Sequence, residues 1–279
     1  MKKLSFPVIA VLAMVTAVFS VPLSGCSGKK DDLYVERPAE ALYNEALSLM
    51  NDGKFRDASK AFDEVERQHP YSTWAMKAQV MGAYALYENS DYDDANVALS
   101  RFIDLHPGNK DIAYAYYLRA LCQYEQMSDV RRDQSATERA AEALTEVMRR
   151  FPESEYARDA RLKLDLTRDH LAGREMVVGR YYLKSNQYLA AMNRFRKVIE
   201  KFDQTTHVPE ALYRLVEINT ILGLNWEAQR VAAILGHNFP GSEWYQDAYD
   251  LVGEVVLDEN APPPPVSSAL TPVESQTLP

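Results

Sequence analysis

The side chains of this 279-residue chain that could do chemistry are two cysteines, five histidines, and 40 acidic and 31 basic residues. Cys122 lies inside the apolar stretch AYYLRALCQY. That setting predicts a buried, inert thiol, because a nucleophilic cysteine needs an electropositive and partly open environment. His69, His106, His170, His207 and His237 are scattered singly. No H-E-x-x-H pair, clustered Cys/His set or Gly-rich phosphate loop accompanies them, and no two carboxylates are singled out by spacing. His69 and His106 each stand last before a proline, a helix C-terminal position that the macrodipole makes favourable for histidine. These residues point to no catalytic centre, no metal and no cofactor, and the chain reads as a non-enzyme.

Cys26 is different, because it closes an apolar run. Val8 to Val21 follows Lys2 and Lys3 and spans 14 residues, short of the roughly 20 that a bilayer-spanning helix needs. The run therefore reads as the hydrophobic part of a secretory signal. An A-x-A cleavage site does not precede Cys26; Leu23-Ser24-Gly25 does. That tetrad resembles the lipobox of bacterial lipoproteins, which implies cleavage before Cys26, acylation of its thiol and new amino group, and a membrane anchor of more than one acyl chain. Loss of residues 1–25 removes two lysines and no acid, taking the net charge from -9 to -11. So acidic a chain disfavours nucleic acid as a partner.

Charge is unevenly spread. Residues 31–106 carry 15 acids and 7 bases, residues 149–201 carry 7 and 13, and residues 231–279 carry 7 and none. The central basic block includes Arg158, Arg161, Arg168, Arg174, Arg180, Arg194, Arg196 and Lys197. Such a block is either a solvated face balanced by acidic neighbours or a docking surface that steers an acidic partner. Seventeen tyrosines include Tyr84, Tyr87, Tyr114, Tyr116 and Tyr117; packing accounts for most of these.

The elements that position these residues follow from a repeat. Ala58, Phe62 and Pro70 recur as Ala95, Leu99 and Pro107, as Ala140, Leu144 and Pro152, and as Ala228, Ala232 and Pro240; Ala191, Phe195 and Asp203 keep the spacing without the proline. Two residues beyond each twelfth position stands an N-cap type: Ser72, Asn109, Ser154, Thr205 or Ser242. Proline ends a helix and a short polar side chain begins the next. Upstream of each alanine, apolar residues three and four apart predict a partner helix. Ala46, Ala83 and Gly179, twelve positions before their marker alanines, allow close helix contact. The pattern resembles the tetratricopeptide repeat, and predicts an all-α, right-handed solenoid of about five repeats with ten or more antiparallel helices over residues 38–257. Within it, the first helix of each pair lines the concave face, where tyrosines would suit an extended peptide with an aromatic end. QMSDVRRDQSATE reads as a charged insertion in the third repeat. The stretch 156–184 reads as one long helix or two joined near Gly173. Residues 26–37 read as a lipidated tether, and 258–279, with six of the 14 prolines and no base, as a disordered tail.

Lipobox, five repeats, the insertion and the long helix together resemble the BamD family of outer-membrane assembly lipoproteins. The likeness is carried by HPYSTWAMKAQVMGAYALYENSDYDDANVALSRFIDLHP and by RDQSATERAAEALTEVMRRFPESEYARDA. It implies a non-enzymatic adaptor of the outer-membrane β-barrel assembly machinery, anchored by lipid and facing the periplasm. Ser27, where enteric lipoproteins retained at the inner membrane carry aspartate, agrees with an outer-membrane destination. The implied partners are the POTRA domains of BamA, other Bam lipoproteins, and the C-terminal signal of unfolded outer-membrane proteins. On this resemblance Arg194, Arg196 and Lys197 are expected at the BamA contact, and Tyr71, Tyr84, Tyr87 and Tyr117 at the substrate groove. The alternative is a different tetratricopeptide lipoprotein, an adaptor for cell-wall enzymes or a pilus-secretin pilotin; binding to BamA separates the two.

Overall fold

In the second helix of each predicted pair the marker alanine has no room for a larger side chain. Ala58, Ala95, Ala140 and Ala191 are fully buried and Ala228 is 1% exposed. The computed structural model describes residues 36–253. The signal peptide, Cys26, all but the last two residues of the tether and the tail from 258 lie outside them.

Among the described residues there are eleven helices and no strand: α1 (Ala39–Asn51), α2 (Phe55–Gln68), α3 (Thr73–Glu88), α4 (Tyr92–Leu105), α5 (Ile112–Glu125), α6 (Ser135–Arg150), α7 (Glu155–Lys184), α8 (Tyr188–Lys201), α9 (Val208–Ile221), α10 (Asn225–Asn238) and α11 (Glu243–Gly253). Each helix packs on its neighbours in sequence, and first helices of adjacent repeats, such as α1 with α3 and α5 with α7, also touch. This is the helical-repeat architecture expected from the sequence.

Both kinds of turn are repeated. Between paired helices, the residue five before every marker alanine except Ala140, where the insertion intervenes, is left-handed: Gly53 (φ 74°), Ser90 (φ 63°), Asn186 (φ 57°) and Gly223 (φ 72°). The next residue's N–H then donates back across the helix end, as from Asp91 to Leu86 O at 2.9 Å and from Leu224 to Asn219 O at 2.8 Å. That is the Schellman closure, and it turns the chain within three residues. Between repeats, the helix stops at an aromatic or imidazole residue: His69, His106, Phe151, Phe202 and Phe239 all sit near φ -131° to -135°. Two of the histidines therefore occupy a position that phenylalanine fills elsewhere, and His106 packs on Phe102 with ring centroids 5.3 Å apart.

The N-caps follow the sequence in part. Ser72 and Ser154 accept from the backbone N–H of Ala75 and Ala157, each at 3.1 Å, and Ser242 accepts from Trp244 at 3.2 Å. Asn109 and Thr205 do not cap. Asn109 Oδ1 accepts from Asp111 N at 2.8 Å and Thr205 Oγ1 donates to Phe202 O at 2.7 Å; both bonds close turns, and the helices start at Ile112 and Val208.

The stretch ending at Lys184 is one unbroken 30-residue helix, α7. It packs against α5, α6 and α8, with Tyr156 near its start against Tyr117 of α5 and Gly179 near its end against Phe195 of α8, so it is the first helix of two successive units. The core divides along it. Leu164 belongs to the apolar cluster of the second and third repeats, whereas Ala172 and Met176 belong to that of the last repeats. Between them polar groups meet: His170 Nε2 lies 2.8 Å from Ser128 O, Thr206 Oγ1 donates to Asp169 at 2.7 Å, and His207 Nε2 stands 3.6 Å from Asp169. The insertion loop of residues 126–134 thus braces the midpoint of α7.

Close approach of helices explains one small residue in particular. A Cβ on Gly179 of α7 would stand 2.5 Å from the Phe195 ring of α8, and Phe195 is fully buried.

Candidate functional site

Two surfaces carry the sequence-derived candidates. On the first, the eight basic residues of the central block separate into two groups. Arg158, Arg161, Arg168 and Arg196 are exposed and enter no ion pair among the described residues. The others are held internally. Arg180 Nη1 donates to both oxygens of Glu210 at 2.9 and 2.7 Å, and Arg174 Nη1 to Arg131 O at 3.4 Å. Arg194 on α8 donates to Glu175 on α7 at 3.0 Å, and Lys197, one turn on, donates to the other oxygen of the same carboxylate. Glu175 is 8% exposed. Burial alone would raise its pKa, but the hydrogen bonds from Lys197 and Arg194 outweigh burial and hold it below the ordinary carboxylate value.

The structure therefore brings Arg194 and Lys197 together on one buried acid, and turns Arg196 away from them into solvent. An acid at position 194 would face buried Glu175. Beside Lys197 an open cleft of about 300 Å³ is lined by Glu138, Leu171, Arg174, Lys201 and Phe202 among others.

The second surface is aromatic. Tyr84 and Tyr87 on α3 stack at 6.4 Å between centroids, and Tyr117 on α5 stacks on Tyr156 of α7 at 5.4 Å, with Tyr114 against the same ring at 5.5 Å. These rings form a half-buried sheet across three first helices. Their hydroxyls meet carboxylates: Tyr87 Oη donates to Glu125 at 3.4 Å, Tyr117 Oη to Asp159, and Tyr84 to Glu88. Burial first, then the neighbouring acids and phenols, pushes the pKa of Tyr87 and of Tyr117 well above that of a free phenol. Tyr84, Tyr87 and Tyr117 are thus in one group. Tyr71 is not; it is fully exposed in the turn before α3. Tyr116 points the other way, buried against Phe151 and under the guanidinium groups of Arg119 and Arg150.

Sequence reading missed a third feature. The turn between α9 and α10 exposes Ile221 (51%), Leu222 (40%), Leu224 (47%) and Trp226 (50%). Aligned on the marker alanine, Leu224 replaces Lys54, Asp91 and Gln187 of the other turns, and that alignment would have found it. Four exposed apolar side chains within six residues make this turn a candidate contact surface.

Cys122 is a free thiol with no exposed surface, and burial pushes its pKa up to about 12. No described helix is long and apolar enough to cross a membrane.

With this geometry in place, the comparisons with known proteins are specific. A family model described as "YfiO: Outer membrane lipoprotein" matches residues 35–235. An outer membrane protein assembly factor BamD of Caulobacter vibrioides is 48% identical over 251 residues, covering 89% of this chain and 81% of the relative. The protein of the same name from Rickettsia prowazekii is 45% identical over 235 residues, covering 84% and 94%. Among solved structures, a thermophilic tetratricopeptide repeat protein of Thermus thermophilus aligns with a TM-score of 0.36 at 15% identity, over 78% of this chain and all of that one.

Proposed function

The chain belongs to the YfiO family of outer membrane lipoproteins, and from that premise we propose that it is an outer-membrane protein assembly factor that works by binding alone. Its basic repeats dock a BamA POTRA domain, and its tyrosine-bearing repeats hold the C-terminal signal of unfolded β-barrel proteins. Cys26 carries the lipid that keeps the protein at the inner surface of the outer membrane, with other Bam lipoproteins as neighbours.

The observation that supports docking most directly is the clamp on Glu175. It ties Arg194 and Lys197 of α8 to Glu175 and leaves Arg196 on the same helix exposed and without an ion pair among the described residues, open to an acidic partner. The exposed apolar turn at Leu224 and Trp226 stands in the next repeat and adds an uncharged contact of the type found at interface centres.

The test is purification of BamA with this chain after mild detergent extraction. Arg196→Glu should slow association about three- to tenfold at low salt, while leaving the helical circular dichroism unchanged. Absence of BamA from the purified complex would remove the docking assignment. An unmodified Cys26 in the mature N-terminal peptide, read by mass spectrometry, would remove the anchor.

A further inference from the structure

The aromatic surface of α3, α5 and α7 offers an incoming chain ring faces and acceptors, with hardly any donors. Most of the phenol protons on it are already directed at acids: Tyr84 at Glu88, Tyr87 at Glu125, Tyr117 at Asp159. A carboxylate that accepts one phenol proton keeps further lone pairs open to other donors. Glu88, Glu125 and Glu155 are exposed and form no ion pair among the described residues, so they border the rings with unneutralised charge. Lys163 of α7 is engaged: its Nζ is 3.4 Å from Asp159 and 5.4 Å from the centre of the Tyr124 ring. Lys110, next in sequence to Asp111, is exposed. The surrounding repeats add to the same sign, with 15 acids against 7 bases over residues 31–106.

A surface of this composition discriminates by charge. Ring faces attract ammonium and guanidinium groups through their quadrupole, and the bordering acids add hydrogen bonds to the same groups. A carboxylate approaching it finds few free donors and several like charges, which disfavours it.

We propose that this face selects extended segments that carry lysine or arginine beside an aromatic residue, and that it holds them by those side chains rather than by a terminal carboxylate. The proposal rests on the reading of the face as the substrate groove and specifies what the groove recognises.

Calorimetric titration of the full-length chain in mild detergent tests it. Three synthetic peptides of one length are compared: alternating Phe and Thr with two Lys, the same with two Glu, and the Lys peptide with an amidated C-terminus. The Lys peptide should bind about tenfold more tightly than the Glu peptide. The difference should shrink as salt is added, and amidation should leave it intact. In Glu88→Gln, Glu125→Gln, Glu155→Gln combined, the two peptides should come within about twofold of each other, with circular dichroism unchanged. Equal binding of Lys and Glu peptides to the wild type, loss of binding on amidation, or a preference that survives the triple variant overturns the proposal and leaves the groove assignment standing. Binding of neither peptide overturns the groove assignment and the proposal with it.

Discussion

Glu175 shows how one buried acid can organise a surface several residues away. Its stabilisation is directional in pH. A carboxylate whose folded pKa lies below its ordinary value of 4.5 contributes stability above that value and loses it as pH falls through the lower folded value. The α7–α8 junction should therefore loosen only in acid below that range, seen as earlier exchange of α8 amides on acidification. Arg194→Glu should cost about 1–2 kcal/mol in chemical denaturation. That is less than the roughly 3–5 kcal/mol of a fully buried broken pair, since Lys197 stays and Arg194 is 40% exposed. A variant as stable as wild type would mean that Glu175 is satisfied without Arg194. Cys122 should ignore a thiol reagent at neutral pH until the chain is unfolded, given its burial and raised pKa.

At the scale of elements, the turns are as repetitive as the helices. Ser90 performs with a side chain what Gly53 and Gly223 perform without one. Replacing Ser90 by Gly relieves the left-handed penalty of roughly 1–2 kcal/mol and adds back about 0.5–1 kcal/mol of unfolded-state entropy. The net expectation is a gain of about 0.5–1 kcal/mol, read as a raised denaturation midpoint; a loss would mean that the serine hydroxyl matters at that turn. Gly179→Ala should do the reverse, by about 1–3 kcal/mol, because Phe195 has nowhere to go. Much of this was legible in the residues. Alanine, apolar and proline markers recur at fixed offsets because helix contact, core filling and helix ending recur. Asn109 and Thr205 misled because a short polar side chain closes a turn as readily as it caps a helix. The continuity of α7 was open because Gly173 lowers helix propensity, and the contacts of residues 128–131 and 206–207 that brace it are distant in sequence. The basic block was visible as composition; which of its members are tied down was not, since Glu175 is far from Arg180's partner Glu210 in the chain and both look like ordinary acids.

Across the whole described array, charge and packing are organised in different units. The acidic, basic and acidic segments predict an association with an acidic partner that slows as ionic strength rises, measurable by stopped-flow mixing. The packing units are set by the apolar clusters, and the midsection of α7 has one on either side. Amides from Thr167 to Met176 should be among the slowest to exchange with deuterium; exchange as fast as that of α1 would mean that the two clusters open independently. The 30 residues of α7 also amount to a rod of about 45 Å. It carries Tyr156 of the tyrosine face in its first turn and Glu175 of the clamp about 28 Å further along, so a tilt of about five degrees at one displaces the other by about 2.5 Å. Occupancy of one surface can then be felt at the other through the helix and the contacts that brace its midpoint.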